Sequence, residues 1–161
     1  AIVLAKTSNP SAGEFQDKRF AEQHGGRLLY EDVALKVDRW GEQLVGERSY
    51  SSLCAVVGAT WPEEAARCRE MMPRTIFLVP GYGGQGGTGN SVVPNFNQDG
   101  YGAFVNNSSG LTFAYSKEPY RSTFTQPDFA KAARQAAIDM RNDIVGCMQQ
   151  AGKLPSRWSC V

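Results

Sequence analysis

Apolar and polar positions along this chain fall into blocks that repeat one unit four times. Ile2 to Thr7 is a short apolar run; after a polar loop rich in Ser, Asn, Pro and Gly, the residues Leu29, Val33, Val37, Trp40 and Leu44 recur at helical spacing between Leu28 and Val45. Leu53 to Ala59 is a second apolar run. Thr60-Trp61-Pro62-Glu63-Glu64 then reads as a helix start, with Thr60 as N-cap, an early proline and two acids that complement the helix dipole, and this helix is expected to run to Met72. Thr75 to Val79 is a third strand, followed by a glycine-dense loop and a weak helical stretch from Ser91 to Phe96. A fourth strand is expected from Gly102 to Asn106. A long loop to Pro127 precedes the strongest helical pattern, Asp128 to Gln150, with Phe129, Ala133, Ala136, Met140, Ile144 and Met148 on one side.

Four strand-helix units without a hairpin signal imply parallel strands joined by right-handed crossovers, hence an α/β fold. Two architectures compete: an open doubly wound sheet, or part of a (β/α)8 barrel, whose usual length is ~250 residues. At 161 residues the chain would be about half a barrel. A free half would leave two unpaired edges and an apolar inner face in water, so that architecture carries the expectation of a partner. The opening Ala1-Ile2-Val3-Leu4-Ala5 has no initiator Met and no signal-peptide pattern, and reads as the interior of a larger fold.

Composition removes several function classes. Lys+Arg at 17 against Asp+Glu at 16 gives a formal charge of +1, with no basic block longer than Lys18-Arg19, which argues against a broad grip on nucleic acid. Apolar runs are far short of the ~20 residues that span a bilayer. Cys54, Cys68, Cys147 and Cys160 form no CxxC pair and have no neighbouring His, so no metal site is expected; Cys54, Cys68 and Cys147 read as reduced, partly buried thiols. His24, beside Gly25-Gly26, reads as a solvated loop residue.

In parallel α/β folds ligands bind where the strands end, so the loops after the strands are the places for chemistry. The first offers Lys6-Thr7-Ser8-Asn9-Pro10, whose hydroxyls, amide and backbone N–H groups suit a polar heterocycle; the plainer reading is a turn. The third holds six glycines between Gly81 and Gly89, with Gln85 as the long polar side chain among them. Such glycines let backbone N–H groups approach an anion, although a flexible surface loop has the same composition. No Lys follows them, which excludes an ordinary nucleoside-triphosphate loop. The fourth, Asn106-Asn107-Ser108-Ser109-Gly110, offers donors where barrels tend to hold phosphate, or a capped turn.

Taken together, four segments resemble the C-terminal half of the orotidine 5'-phosphate decarboxylases, bacterial-type subfamily. They are Lys6-Thr7-Ser8-Asn9-Pro10; Phe15-Gln16-Asp17; Val56 to Glu64; and Val79-Pro80-Gly81-Tyr82-Gly83-Gly84-Gln85-Gly86-Gly87, in the family's order and spacing. The resemblance spans residues 1–150 and leaves 151–161 as a C-terminal tail. It implies a (β/α)8 TIM barrel, of which this chain would hold strands five to eight. It also implies decarboxylation of orotidine monophosphate to uridine monophosphate, a step of pyrimidine biosynthesis that needs no cofactor.

By the family pattern Ser8 would hydrogen-bond the pyrimidine edge, Pro80 would pack beside the base, and Gln85 would bridge the base region and the phosphate. The backbone around Ser108 and Ser109 would hold the phosphate. Two departures follow. The family's Asp-x-Lys-x-x-Asp pattern does not occur, so no catalytic residue is expected in this chain, and activity would require an N-terminal half-barrel chain. Ser109 stands where the family has the arginine that clamps the phosphate, and Arg121, in the loop that follows, is the candidate substitute. The rival reading is an inactive, structural subunit of a larger assembly. An oligomer and a cytoplasmic location, an organelle left open, follow from the resemblance alone.

Overall fold

A computed structural model describes residues 1–158, the His24 side chain excepted; the expectations for that side chain and for Cys160 lie outside the described residues. Four strands form one sheet: β1 (Ile2–Lys6), β2 (Ser51–Val57), β3 (Thr75–Val79) and β4 (Ala103–Val105). Their spatial order is their sequence order, and every neighbouring pair is parallel. Between them run α1 (Gly13–Gln16), α2 (Leu29–Gly41), α3 (Pro62–Met71) and α4 (Gly89–Val92); α5 (Ser108–Thr112) and α6 (Phe129–Gln150) follow β4.

The register assigns the two faces of the sheet. Ala55, Phe77 and Ala103 align across three strands, and Ala5, Ala55, Val57, Phe77 and Val79 bury against Ala34 and Val37 of α2, Ala65 and Cys68 of α3, and Met148 of α6. The alternate row, Leu4, Val56, Leu78 and Phe104, points the other way. Its two ends are open, with Leu4 64% and Phe104 47% exposed, while Val56 between them is buried. Sequential parallel order, helices on one face and an apolar row with open ends on the other are the geometry of half of a (β/α)8 barrel.

Several sequence expectations shift. The buried face of α2 is Tyr30, Ala34, Val37 and Gly41, whereas Trp40 and Leu44, placed on the apolar stripe by periodicity, are exposed. Small residues win because the helix lies close to the sheet: a Cβ on Gly41 would sit 2.7 Å from the Ser51 hydroxyl, which donates to the Gly41 carbonyl. Phe129 is likewise exposed. Thr60 does not cap α3; Trp61 occupies the N-cap position, and the Thr60 hydroxyl donates to the Ser8 carbonyl across the sheet at 2.9 Å. Of the tail, Lys153 donates to the Phe96 carbonyl and Pro155 is fully buried against Gly100.

Arg69 on α3 was silent in the sequence. Its guanidinium is buried over the Phe77 ring, 3.6 Å from the centroid, and donates to the carbonyls of Met72, Thr75, Asn95 and Gly102 at 2.8–2.9 Å. It thereby ties α3 to the start of β3 and to the approach to β4. Burial pulls its pKa down to about 10, which leaves it charged at neutral pH. Replacing it by Met would strip four buried carbonyls of their donor, and a loss of about 3–5 kcal/mol in urea unfolding is expected.

Cys54, Cys68 and Cys147 are free thiols. Burial pushes the Cys68 thiol from its ordinary 9.0 up to about 12. The folded state thus holds this proton more tightly than the unfolded chain. The associated stability is fully present below pH 9 and is lost as pH rises towards 12. Urea midpoints measured across this range should fall in wild type and fall less in Cys68→Ala.

Candidate functional site

The loops that follow the four strands gather at one end of the sheet. The first is fixed from below by Lys6, the last residue of β1, whose side chain is fully buried. Its ammonium pairs with the Asp17 carboxylate and lies over the rings of Tyr30 and Trp61, at 5.3 and 5.0 Å. Above it, Gln16 accepts from the Thr7 N–H at 3.0 Å, and the Trp61 indole donates to the Thr7 carbonyl at 2.9 Å. Ser8 is thereby pressed onto the β2 loop, where a Cβ on Gly58 would lie 2.7 Å from the Ser8 Cα. This backbone contact requires glycine at position 58.

The glycine-dense loop is a closed turn. Gly83 N–H donates to Gly87, Gly86 to Gly83, and Gly87 to Gly81, at 2.8–3.0 Å, with positive φ at Gly81, Gly83 and Gly86. Three amides that composition offered to an anion are therefore spent inside the loop. What the turn does present is Gln85, exposed and without a hydrogen-bond partner among the described residues. A Cβ on Gly81 would lie 2.8 Å from the Ser8 Cβ and 3.0 Å from Gln85 Oε1, so Ser8 and Gln85 meet over a position that only glycine leaves open.

Two cavities result. One, of about 300 Å³, is lined by Ser8, Asn9, Pro10, Thr60, Trp61 and Gln85. The other, of about 330 Å³, is lined by Pro80, Gln85, Asn107, Ser108, Ser109 and Lys117 among others. Gln85 stands between them and belongs to both. All five residues singled out in the sequence, Ser8, Pro80, Gln85, Ser108 and Ser109, thus border one of two adjoining spaces, the first mainly apolar and the second more polar. Their chemistry is hydrogen bonding. Among the described residues no group of three or more His, Cys, Asp or Glu side chains is placed to hold a metal ion, and no helix is long and apolar enough to cross a membrane.

This geometry has known counterparts. The chain is 39% identical to the orotidine 5'-phosphate decarboxylase of Caldicellulosiruptor bescii over 143 residues, 89% of this chain and 44% of the relative. It is 36% identical to that of Rhodopirellula baltica over 145 residues, 90% of this chain and 47% of the relative. The chain resembles orotidine 5'-phosphate decarboxylase. In structure it is similar to the Leishmania donovani OMP decarboxylase, with a TM-score of 0.61 and 28% identity over 89% of this chain and 47% of that one. No protein-family model matches. The chain spans about half the length of the curated relatives it matches.

Sequence reasoning missed two features beside the decarboxylase-like loops. Arg121 does not line either cavity; its guanidinium pairs with Glu118 three residues away. Lys117 lines the second cavity instead, because the turns around Ala114–Ser116 and Tyr120–Ser122 bring it back over α5. The other feature is Asp143 on α6, which accepts from the Tyr82 hydroxyl and the Gly89 N–H, each at 2.8 Å. Burial and this carboxylate push the Tyr82 phenol well above its ordinary pKa, so it stays protonated and donates to Asp143 at neutral pH. Asp143→Ala would cut the glycine loop loose from α6. Amide exchange in residues 82–89 should accelerate while exchange in β2 and β3 stays slow.

Proposed function

We propose that this chain is the C-terminal half of an orotidine 5'-phosphate decarboxylase-type barrel, supplying the base-side and phosphate-side loops to a site whose reacting groups come from elsewhere. The observation that carries this is the single side chain, Gln85, shared by two adjoining cavities. One cavity begins at the buried Ser8 and suits a pyrimidine edge; the other begins at Ser108 and Ser109 and suits a phosphate. A nucleoside monophosphate has this bipartite shape.

A complementary N-terminal half, on the same or another polypeptide, would pair with the free edges of β1 and β4 and cover Leu4 and Phe104. It would also bring the Asp and Lys residues that the resemblance locates on the missing strands. In such a site, binding of the remote phosphate helps organise the reacting end of the substrate, so contacts in the second cavity affect rate as well as affinity.

Ser109, in the place where the family pattern has arginine, favours a second reading: a nucleotide-binding or structural subunit of a larger assembly without turnover. One experiment separates the two. The chain is combined with the N-terminal half of the C. bescii relative, and release of CO2 from orotidine 5'-monophosphate is followed. The first reading expects turnover by the pair and none by either half; a paired complex that binds uridine 5'-monophosphate and releases no CO2 would establish the second. In either case Ser8→Ala and Gln85→Ala should each weaken nucleotide binding about 5- to 30-fold by calorimetry.

A further inference from the structure

The second cavity is polar but, apart from one residue, uncharged. Its donors include the Ser108 and Ser109 hydroxyls and the carboxamides of Gln85 and Asn107, and the Ser108 hydroxyl is already turned to Asn106 at 3.2 Å. The three amides Gly83, Gly86 and Gly87 are committed within their own turn. The one charge on its wall is the ammonium of Lys117, whose Nζ donates to the Ser109 carbonyl at 3.1 Å. That bond uses one of three N–H groups and holds the ammonium beside Ser109 on the cavity wall.

No carboxylate lies within ion-pair distance of Lys117 among the described residues, whereas Lys131 is paired with Asp128 and Arg121 with Glu118. Lys117 also borders a neighbouring hollow, which Glu118, Asp139 and Asp143 help to line. Each is already engaged: Glu118 by Arg121, Asp139 by the Tyr120 hydroxyl, and Asp143 by Tyr82. Lys117 is therefore an uncompensated cation at the mouth of a polar space.

We propose that Lys117 is the charge that a phosphate monoester meets in this cavity, in the place where Ser109 offers only a hydroxyl. The inference deepens the nucleotide reading and rests on it. A lysine differs from an arginine here in kind: it provides a point charge on a flexible stem and cannot grip two oxygens in one plane. Affinity for the phosphate should accordingly be present, with little discrimination between phosphate orientations.

The test is made on the complete chain with three probes: inorganic phosphate, uridine 5'-monophosphate and uridine. Affinity is read by calorimetry, and acylation of the Lys117 amine is read by mass spectrometry. Lys117→Gln should weaken uridine 5'-monophosphate about 10- to 100-fold and leave uridine unchanged, with Lys117→Arg within a few-fold of wild type and Arg121→Gln without effect. Both phosphate-bearing probes should protect Lys117 from acylation.

If the nucleotide binds better than uridine and Lys117→Gln changes nothing, the inference fails and the nucleotide reading stands. If phosphate protects Lys117 but the nucleotide binds no better than phosphate, the lysine site stands and the nucleotide reading fails. Absence of protection together with absence of binding overturns both.

Discussion

The candidate site depends on a buried ammonium. Lys6 ends the first strand inside the protein, and an unpaired charge there would cost several kcal/mol. Its requirements recruit Asp17 from beyond α1, Tyr30 from α2 and Trp61 from the loop before α3. Four segments that share no continuous stretch of sequence are thus drawn to one point. Satisfying the lysine fixes the backbone of Thr7 and Ser8, and the close approach of Ser8 to Gly58 then fixes where the first cavity can lie. The wall of that cavity follows from placing one charge.

The second cavity is built on a different plan. There the loop is held by its own backbone bonds and by a single outside anchor, Asp143, so its shape is set before any ligand arrives. A preordered loop loses little conformational freedom on binding, which leaves more of the contact energy available as affinity. The two walls meet at Gln85, whose own freedom is the adjustable element between them.

Much of the fold was legible because buried parallel strands read as short apolar runs: Thr75–Val79 was found to the residue, and β2 was displaced by two. The error on α2 has a clear cause. Periodicity weights large apolar side chains, but a helix laid tightly on a sheet buries small ones, and Ala34 and Gly41 displaced Trp40 and Leu44. That Ser8, Pro80, Gln85, Ser108 and Ser109 lie beside cavities at one end of the sheet was legible from their position in the loops after the strands.

What was not legible was contact between distant segments. Lys6 and Asp17 look like any two charges eleven residues apart, Arg69 like a helix-surface cation, and Asp143 like an exposed acid. Lys117 owes its position to two tight turns whose signals are weak. Glycine density signalled a special loop but could not tell amides offered outward from amides spent within.

The strand order has a kinetic meaning as well. Each strand pairs only with the next one in the chain, so every pairing closes a loop of one helical unit and none waits for the two ends of the sequence to find each other. Chains of such low contact order form by successive local additions, and their folding is fast for a parallel sheet. This half can therefore assemble as it is synthesised, and what it presents when it is done is a growing edge at β4, ready for the next strand of the same hand.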